Sequence, residues 1–162
     1  MANYFTMEEL TYSSTALRMG WRNKTTNEAE ENLVSLRSMV LNPTREHMGI
    51  PIYVTSGFRS LDVNREIGGA PNSQHMKGEA ADISTRSINK NKEMFLFIRD
   101  SLDFDQLILE NGGEWIHVSY VTRRENRGEV LYITDGKVEW KGTAEGHRNR
   151  EWRLGLRGEA AK

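Results

Sequence analysis

Ser73-Gln74-His75-Met76-Lys77-Gly78-Glu79-Ala80-Ala81-Asp82 packs an imidazole, a glycine, two alanines and a closing carboxylate into one short segment. Small residues let backbone pass close to a neighbour. An aspartate between Ala81 and Ile83 is costly to bury unless it is paired or bound to a cation. The segment therefore predicts a strand over Gly78 to Ile83, entered from a polar loop at Ala70 to Gln74. His117 has the same peculiarity, an imidazole inside Trp115-Ile116-His117-Val118-Ser119-Tyr120, a run with the apolar and aromatic composition of a strand. Two histidines and one carboxylate, each placed where burial needs a partner, suit a Zn²⁺ tripod whose fourth tetrahedral position is left to water.

Upstream, Pro51 to Thr55 predicts a strand that ends at Ser56-Gly57, with Arg59 just beyond it. Ser60 predicts the cap of a short helix through Val63 and Ile67 that stops at Gly68-Gly69. Further upstream, Asn27 is the expected cap of a helix whose apolar positions are Ala29, Leu33, Leu36 and Val40, ending before Pro43. Downstream, Ser87 is expected to cap a helix that buries Met94, Phe95, Phe97 and Ile98. Phe104 to Leu109 and Trp115 to Tyr120, separated by Asn111-Gly112-Gly113, predict two antiparallel strands. Asp135-Gly136 predicts a tight hairpin between Val130 to Ile133 and Val138 to Trp140. These elements compose one α+β domain, with helices mainly from the N-terminal half set on one face of an antiparallel sheet. Its core is expected over about residues 27–140, with 141–162 a flexible basic tail and the last twenty residues poorly ordered.

Composition narrows the chemistry. The chain has 162 residues, no cysteine, 22 Lys+Arg against 23 Asp+Glu, and a net charge of -1. A thiolate site, a Cys nucleophile and a disulfide framework are excluded. Metal chemistry is confined to histidine and carboxylate. Near-neutral charge argues against nucleic acid as the main partner, and no stretch approaches the length of a membrane span. Residues 1–120 carry 12 basic and 16 acidic side chains, residues 121–162 carry 10 and 7, so the C-terminal part is a mildly basic face. His47 and His147 lie in polar surroundings and are expected to be exposed structural residues. No basic and apolar leader opens the chain, which predicts a soluble product made in the cytoplasm, a monomer, with any later action elsewhere depending on release.

The decade from Ser73 to Asp82 fits S-x-H-x-x-G-x-A-x-D and resembles the signature of the zinc D-alanyl-D-alanine carboxypeptidase family, which includes D,D-dipeptidases and phage endolysin peptidases. Ser56-Gly57-Phe58-Arg59-Ser60, the Val63-Asn64 and Gly68-Gly69 positions, and Trp115 to Ser119 extend the likeness over about Ile52 to Tyr120. The resemblance implies a single domain similar to these peptidases and to hedgehog-type signalling domains, with one Zn²⁺ held by His75, Asp82 and His117. It implies hydrolysis of peptidoglycan stem peptides by metal-activated water, as a D,D-carboxypeptidase or murein endopeptidase. Glu114, three residues before His117, is the favoured general base and Glu110 the alternative. Arg59 would bind a substrate carboxylate or the oxyanion, and Ser73 and Gln74 would orient substrate amides or His75. Asp105 is expected as an acceptor for a ligand histidine N–H.

If phage-encoded, such an enzyme would act on the cell wall after holin-type release or from the virion. Two other classes compete. A non-haem iron oxygenase also uses two histidines and a carboxylate, but its first pair is H-x-[DE], unlike the wider spacing of His75 and Asp82. A non-catalytic zinc-containing wall-binding module would use the same fold, its basic tail adhering to acidic wall polymers; the presence of Glu114, Glu110 and Arg59 argues for catalysis instead.

Overall fold

The computed structural model describes residues 2–148. Short helices α1 (Met7–Thr11) and α2 (Ser14–Met19) precede α3 (Asn27–Leu36), a π-turn (Arg37–Leu41) and α4 (Asn42–Met48). Then come β1 (Tyr53–Ser56), α5 (Leu61–Glu66), a 3₁₀ turn (Gln74–Lys77), β2 (Ala80–Ser84), α6 (Ile88–Ser101), β3 (Gln106–Glu110) and β4 (Trp115–Ser119). The hairpin β5 (Glu129–Thr134) and β6 (Lys137–Thr143) leads into α7 (Ala144–Arg148). Among the described residues the strands form one sheet in the order β1-β2-β4-β3-β5-β6.

That sheet is mixed, not antiparallel throughout: β3 and β5 run parallel, with Ile108 opposite Leu131. The reason lies in where the chain leaves β4. Asp105 N–H bonds the Ser119 carbonyl at 2.8 Å, so β4 ends beside the start of β3. The other edge of β4 is already taken by β2. A return loop over residues 120–128 therefore enters the free edge of β3 from the end at which β3 begins.

Local capping follows sequence chemistry. Ser60 and Ser87 accept from Val63 N–H and Lys90 N–H at 3.3 Å each, and Asp135 and Gly136 take positive φ in the hairpin turn. At α3 the cap is Thr26, whose hydroxyl accepts from Ala29 N–H at 3.1 Å, one residue before the expected Asn27. Nor does this helical path stop before Pro43. Asn42 N–H reaches back to the Arg37 carbonyl across the π-turn, and Pro43 falls in the first turn of α4, where its missing N–H costs nothing.

The core is the inner sheet face covered by α3, α4 and α6, with Leu33, Leu36, Met94, Phe95, Ile98, Leu107, Ile116 and Val118 fully buried. Phe97 is only half-buried and stacks on exposed His47 at 3.9 Å. Phe5 and Leu10 also join the core, N-terminal to the start expected at residue 27. They are locked to β1 by a backbone approach: Phe58 N–H bonds the Leu10 carbonyl at 2.8 Å, and a Cβ on Gly57 would lie 2.1 Å from that oxygen.

At the other end, residues 141–148 lie in regular structure. β6 runs to Thr143, and α7 inserts His147, 0% exposed, among Phe95, Tyr132 and Trp140. His147 is therefore a core residue, contrary to the exposed position its polar neighbours in sequence predict. Arg99 donates to its Nδ1 at 2.9 Å and Tyr132 hydroxyl meets its Nε2. The expected disorder of the final residues concerns 149–162, which lie outside the described residues.

Candidate metal centre

Three elements converge on one point. The 3₁₀ turn carries His75, and its geometry depends on Gly78, which closes the turn at φ 72° and sits against α3. A Cβ there would fall 2.2 Å from the Ala29 carbonyl, so glycine is required both for the backbone angle and for the approach. Ser73 Oγ caps the turn by accepting from His75 N–H at 3.3 Å. Asp82 on β2 and His117 on β4 are directly paired, and Ile108 of β3 pairs His117 on its other side.

His75 Nδ1 donates to the Gly57 carbonyl at 2.8 Å, which leaves Nε2 as a lone pair. That lone pair faces His117 Nδ1 at 3.2 Å and Asp82 Oδ1 at 3.4 Å, while His117 Nδ1 lies 3.0 Å from the same carboxylate oxygen. Three ligand atoms thus crowd together with at most one proton among them, and a single cation satisfies all three. The other ring nitrogen of His117, Nε2, is buried without a partner among the described residues. Nothing but the group facing Nδ1 sets that ring's tautomer. Burial works against ionisation of Asp82, yet its contacts with His75 and His117 outweigh it and hold its carboxyl well below the usual range. Its second oxygen accepts from Arg59 Nη2 at 3.2 Å, and Arg59 Nε donates to Ser56 Oγ at 3.0 Å. Arg59 therefore aims Asp82 as well as flanking it.

These ligands open onto a cleft of about 590 Å³ that is also lined by Arg59, Ser73, Gln74, Glu110 and Trp115. A family model described as Peptidase M15 matches residues 3–119. The chain belongs to the peptidase M15 family. It is also 50% identical over 48 residues to the zinc D-Ala-D-Ala carboxypeptidase of Streptomyces albus G, a match covering 29% of this chain and 19% of that relative.

Within this M15 domain the two candidate bases differ in setting. Glu110 is half-buried at the end of β3 in the metal-ligand cleft; burial and then the Asp82 charge push its carboxyl up, partly opposed by His117. Glu114 is exposed and lines an adjoining hollow of about 810 Å³ that includes Tyr12, Tyr53 and, shared with the first cleft, Trp115 and Asp82. Gln74 does not touch His75 through its side chain; its Nε2 donates to Asp105 Oδ2 at 2.9 Å and to Glu79 Oε2 at 3.4 Å.

Asp105 does not serve a ligand histidine either, because the Gly57 carbonyl has that place. It accepts instead from Arg124 and Arg127, whose hydrogen bonds overcome the burial penalty and hold its carboxyl far below the usual range. Sequence reasoning missed Gly57, Glu79, Arg123, Arg124 and Arg127. Gly57 and Glu79 had local signals, the one beside Arg59 and the other inside the Ser73 to Asp82 segment. The arginines lie beyond the matched residues, and nothing in their own spacing points at the cleft.

Proposed function

We propose that this M15 protein is a zinc-dependent peptidase that hydrolyses peptidoglycan stem peptides, as a D,D-carboxypeptidase or a murein endopeptidase. The observation that carries the reading is the convergence of His75 Nε2, Asp82 Oδ1 and His117 Nδ1 on one point in an open cleft. Zinc bound there supplies Lewis acidity to a scissile carbonyl and to water. Gly57 fixes His75 through its ring N–H, and Arg59 fixes Asp82 through the oxygen that faces away from the histidines. Glu110 takes the proton of the attacking water and returns it to the leaving amine nitrogen, a role suited to a carboxyl that burial pushes up. Arg59 offers charge-assisted hydrogen bonds to the developing oxyanion or to a terminal carboxylate.

The Streptomyces relative's name contributes D-Ala-D-Ala as a substrate class, and the peptidoglycan setting rests on the motif resemblance. Its test is digestion of purified peptidoglycan by the zinc-loaded protein, with mass spectrometry of the fragments. Release of D-alanine or of cross-link fragments, abolished by chelation and restored by zinc, is expected. Turnover that survives rigorous chelation, or intact peptidoglycan after prolonged digestion with protein shown to hold zinc, would refute the reading.

A further inference from the structure

The cleft has a second chemical feature, a wall of guanidinium groups held by buried carboxylates. Arg123 directs Nε and Nη2 at the two oxygens of Glu79, at 2.9 and 3.3 Å. Arg124 and Arg127 both grip Asp105. Glu79 and Asp105 are essentially inaccessible, and Gln74 joins them through its amide. The arginine side chains themselves stay 45% and 35% exposed at Arg123 and Arg124 and face the cleft of the metal ligands.

Anchoring of this kind removes the entropy cost of ordering a long side chain and leaves donors for a ligand. Among the described residues, Arg123 Nη1 makes no hydrogen bond, and each guanidinium has five donors in a fixed fork. Three guanidiniums and Lys141 meet three carboxylates, Glu79, Asp105 and Glu129, the last 3.9 Å from Arg127 Nη1, so the wall keeps a surplus positive charge. Glu129, on the far side of Arg127, has Lys141 as its own counter-ion at 3.6 Å.

Position along the sheet sets the scale. Glu79, just before β2, precedes Asp82 by three residues, and Asp105, just before β3, precedes Ile108, the neighbour of His117, by three residues. Along the sheet the Cα atoms of the anchoring carboxylates stand about 10 Å from those of the metal-ligand positions, at roughly 3.3 Å per residue. An extended peptide covers that distance with two or three residues.

We propose that Arg123 and Arg124 form an anion subsite that recognises a carboxylate carried by the substrate two or three residues from the scissile bond. The proposal rests on the peptidase reading for what is cut, while binding tests it separately. The probes are pentapeptides ending in D-Ala-D-Ala, in matched pairs with glutamate or glutamine at the second or the third position. Calorimetric binding to the zinc-loaded full chain and cleavage followed by mass spectrometry are both measured.

The wild type should prefer one glutamate peptide over its glutamine partner by about tenfold or more, the scale of a charge-assisted pair. Arg123→Lys and Arg124→Lys keep a cation beside Glu79 and Asp105 but lose the fork. They should fold with near wild-type melting temperatures and bring that ratio down toward one. Equal binding of both members of each pair by the wild type, including no measurable binding of either, overturns the subsite. So does a glutamate preference that survives in both lysine variants. If no pentapeptide and no peptidoglycan is cut yet the glutamate preference holds and depends on the arginines, the subsite stands and the peptidase reading falls.

Discussion

Protonating His147 should unfold the C-terminal edge of the domain, and the size of the effect follows from its surroundings. The ring is fully buried against Phe95, Tyr132 and Trp140. Arg99, which can only donate, occupies the Nδ1 lone pair at 2.9 Å. The proton of neutral His147 therefore sits on Nε2, facing the Tyr132 oxygen. Imidazolium would set donor against donor and cation beside cation in a dry site. Burial first, and then the Arg99 charge, push the histidine down to about 4 from its ordinary 6.5, with Asp100 opposing.

A folded value below the unfolded one means that the stabilisation is complete above about pH 6.5 and is lost as pH falls toward 4. At 1.36 kcal/mol per unit, the full loss is about 3 kcal/mol. Urea unfolding of the wild type and His147→Gln, followed by tryptophan fluorescence at several pH values from 7.5 to 4, isolates the term as the difference between the two curves. Both are measured with metal removed, so that metal loss at low pH does not enter the comparison. The carboxyls of Asp82 and Asp105 are held low and titrate below this window. The wild type should lose about 3 kcal/mol more than the variant across the range. Parallel curves would refute the buried neutral histidine.

Replacing His75, Asp82 or His117 singly by alanine should abolish stoichiometric zinc by elemental analysis while the far-ultraviolet circular dichroism stays folded, because all three side chains serve one cation. Gly57→Ala sets a methyl group against the Leu10 carbonyl and shifts the acceptor of His75; it should cost about 1–3 kcal/mol in urea unfolding and about 10–100-fold in zinc affinity. Asp105→Asn leaves two guanidiniums without their counter-ion, and because both are part-exposed the cost should fall near the lower end of the range for broken buried pairs, about 3 kcal/mol by thermal or urea unfolding.

How far the molecule was legible in its sequence depends on how local each cause is. Caps at Ser60 and Ser87, the Asp135-Gly136 turn and the metal trio are written in residues a few positions apart or in a charged group set among apolar neighbours. The parallel placement of β5 is not, since it is decided by which edge of the sheet is still free once β2 has paired with β4. His147 looks exposed in its polar segment and is buried because β6 delivers it onto Tyr132 and Phe95. The arginine wall is illegible for a related reason: Arg123 and Arg124 become cleft residues only because Glu79 and Asp105, from just before two other strands, pull them inward. Near-neutral overall charge hid a local surplus.

The choice of base illustrates how strand geometry changes the meaning of a motif. On a helix, Glu114-Trp115-Ile116-His117 would put the acid and the imidazole on one face, because residues three apart are neighbours there. Here Trp115 to Ser119 is a strand, where residues an odd number apart point to opposite faces. Glu114 lies in the turn before β4, its N–H bonded to the Glu110 carbonyl at 3.0 Å and its side chain exposed. Glu110 pairs Trp115 across the ladder just as Ile108 pairs His117. Paired residues share a face, as do Trp115 and His117, so Glu110 stands on the metal-ligand face one step along the sheet. Glu110→Gln should therefore keep zinc and lower kcat by about 10² or more, with loss of the acidic limb of the pH–rate profile, while Glu114→Gln should change kcat by only a few-fold. A large loss in Glu114→Gln with Glu110→Gln still active would return the role to the residue three before His117 and would mean that the turn reorganises when substrate binds.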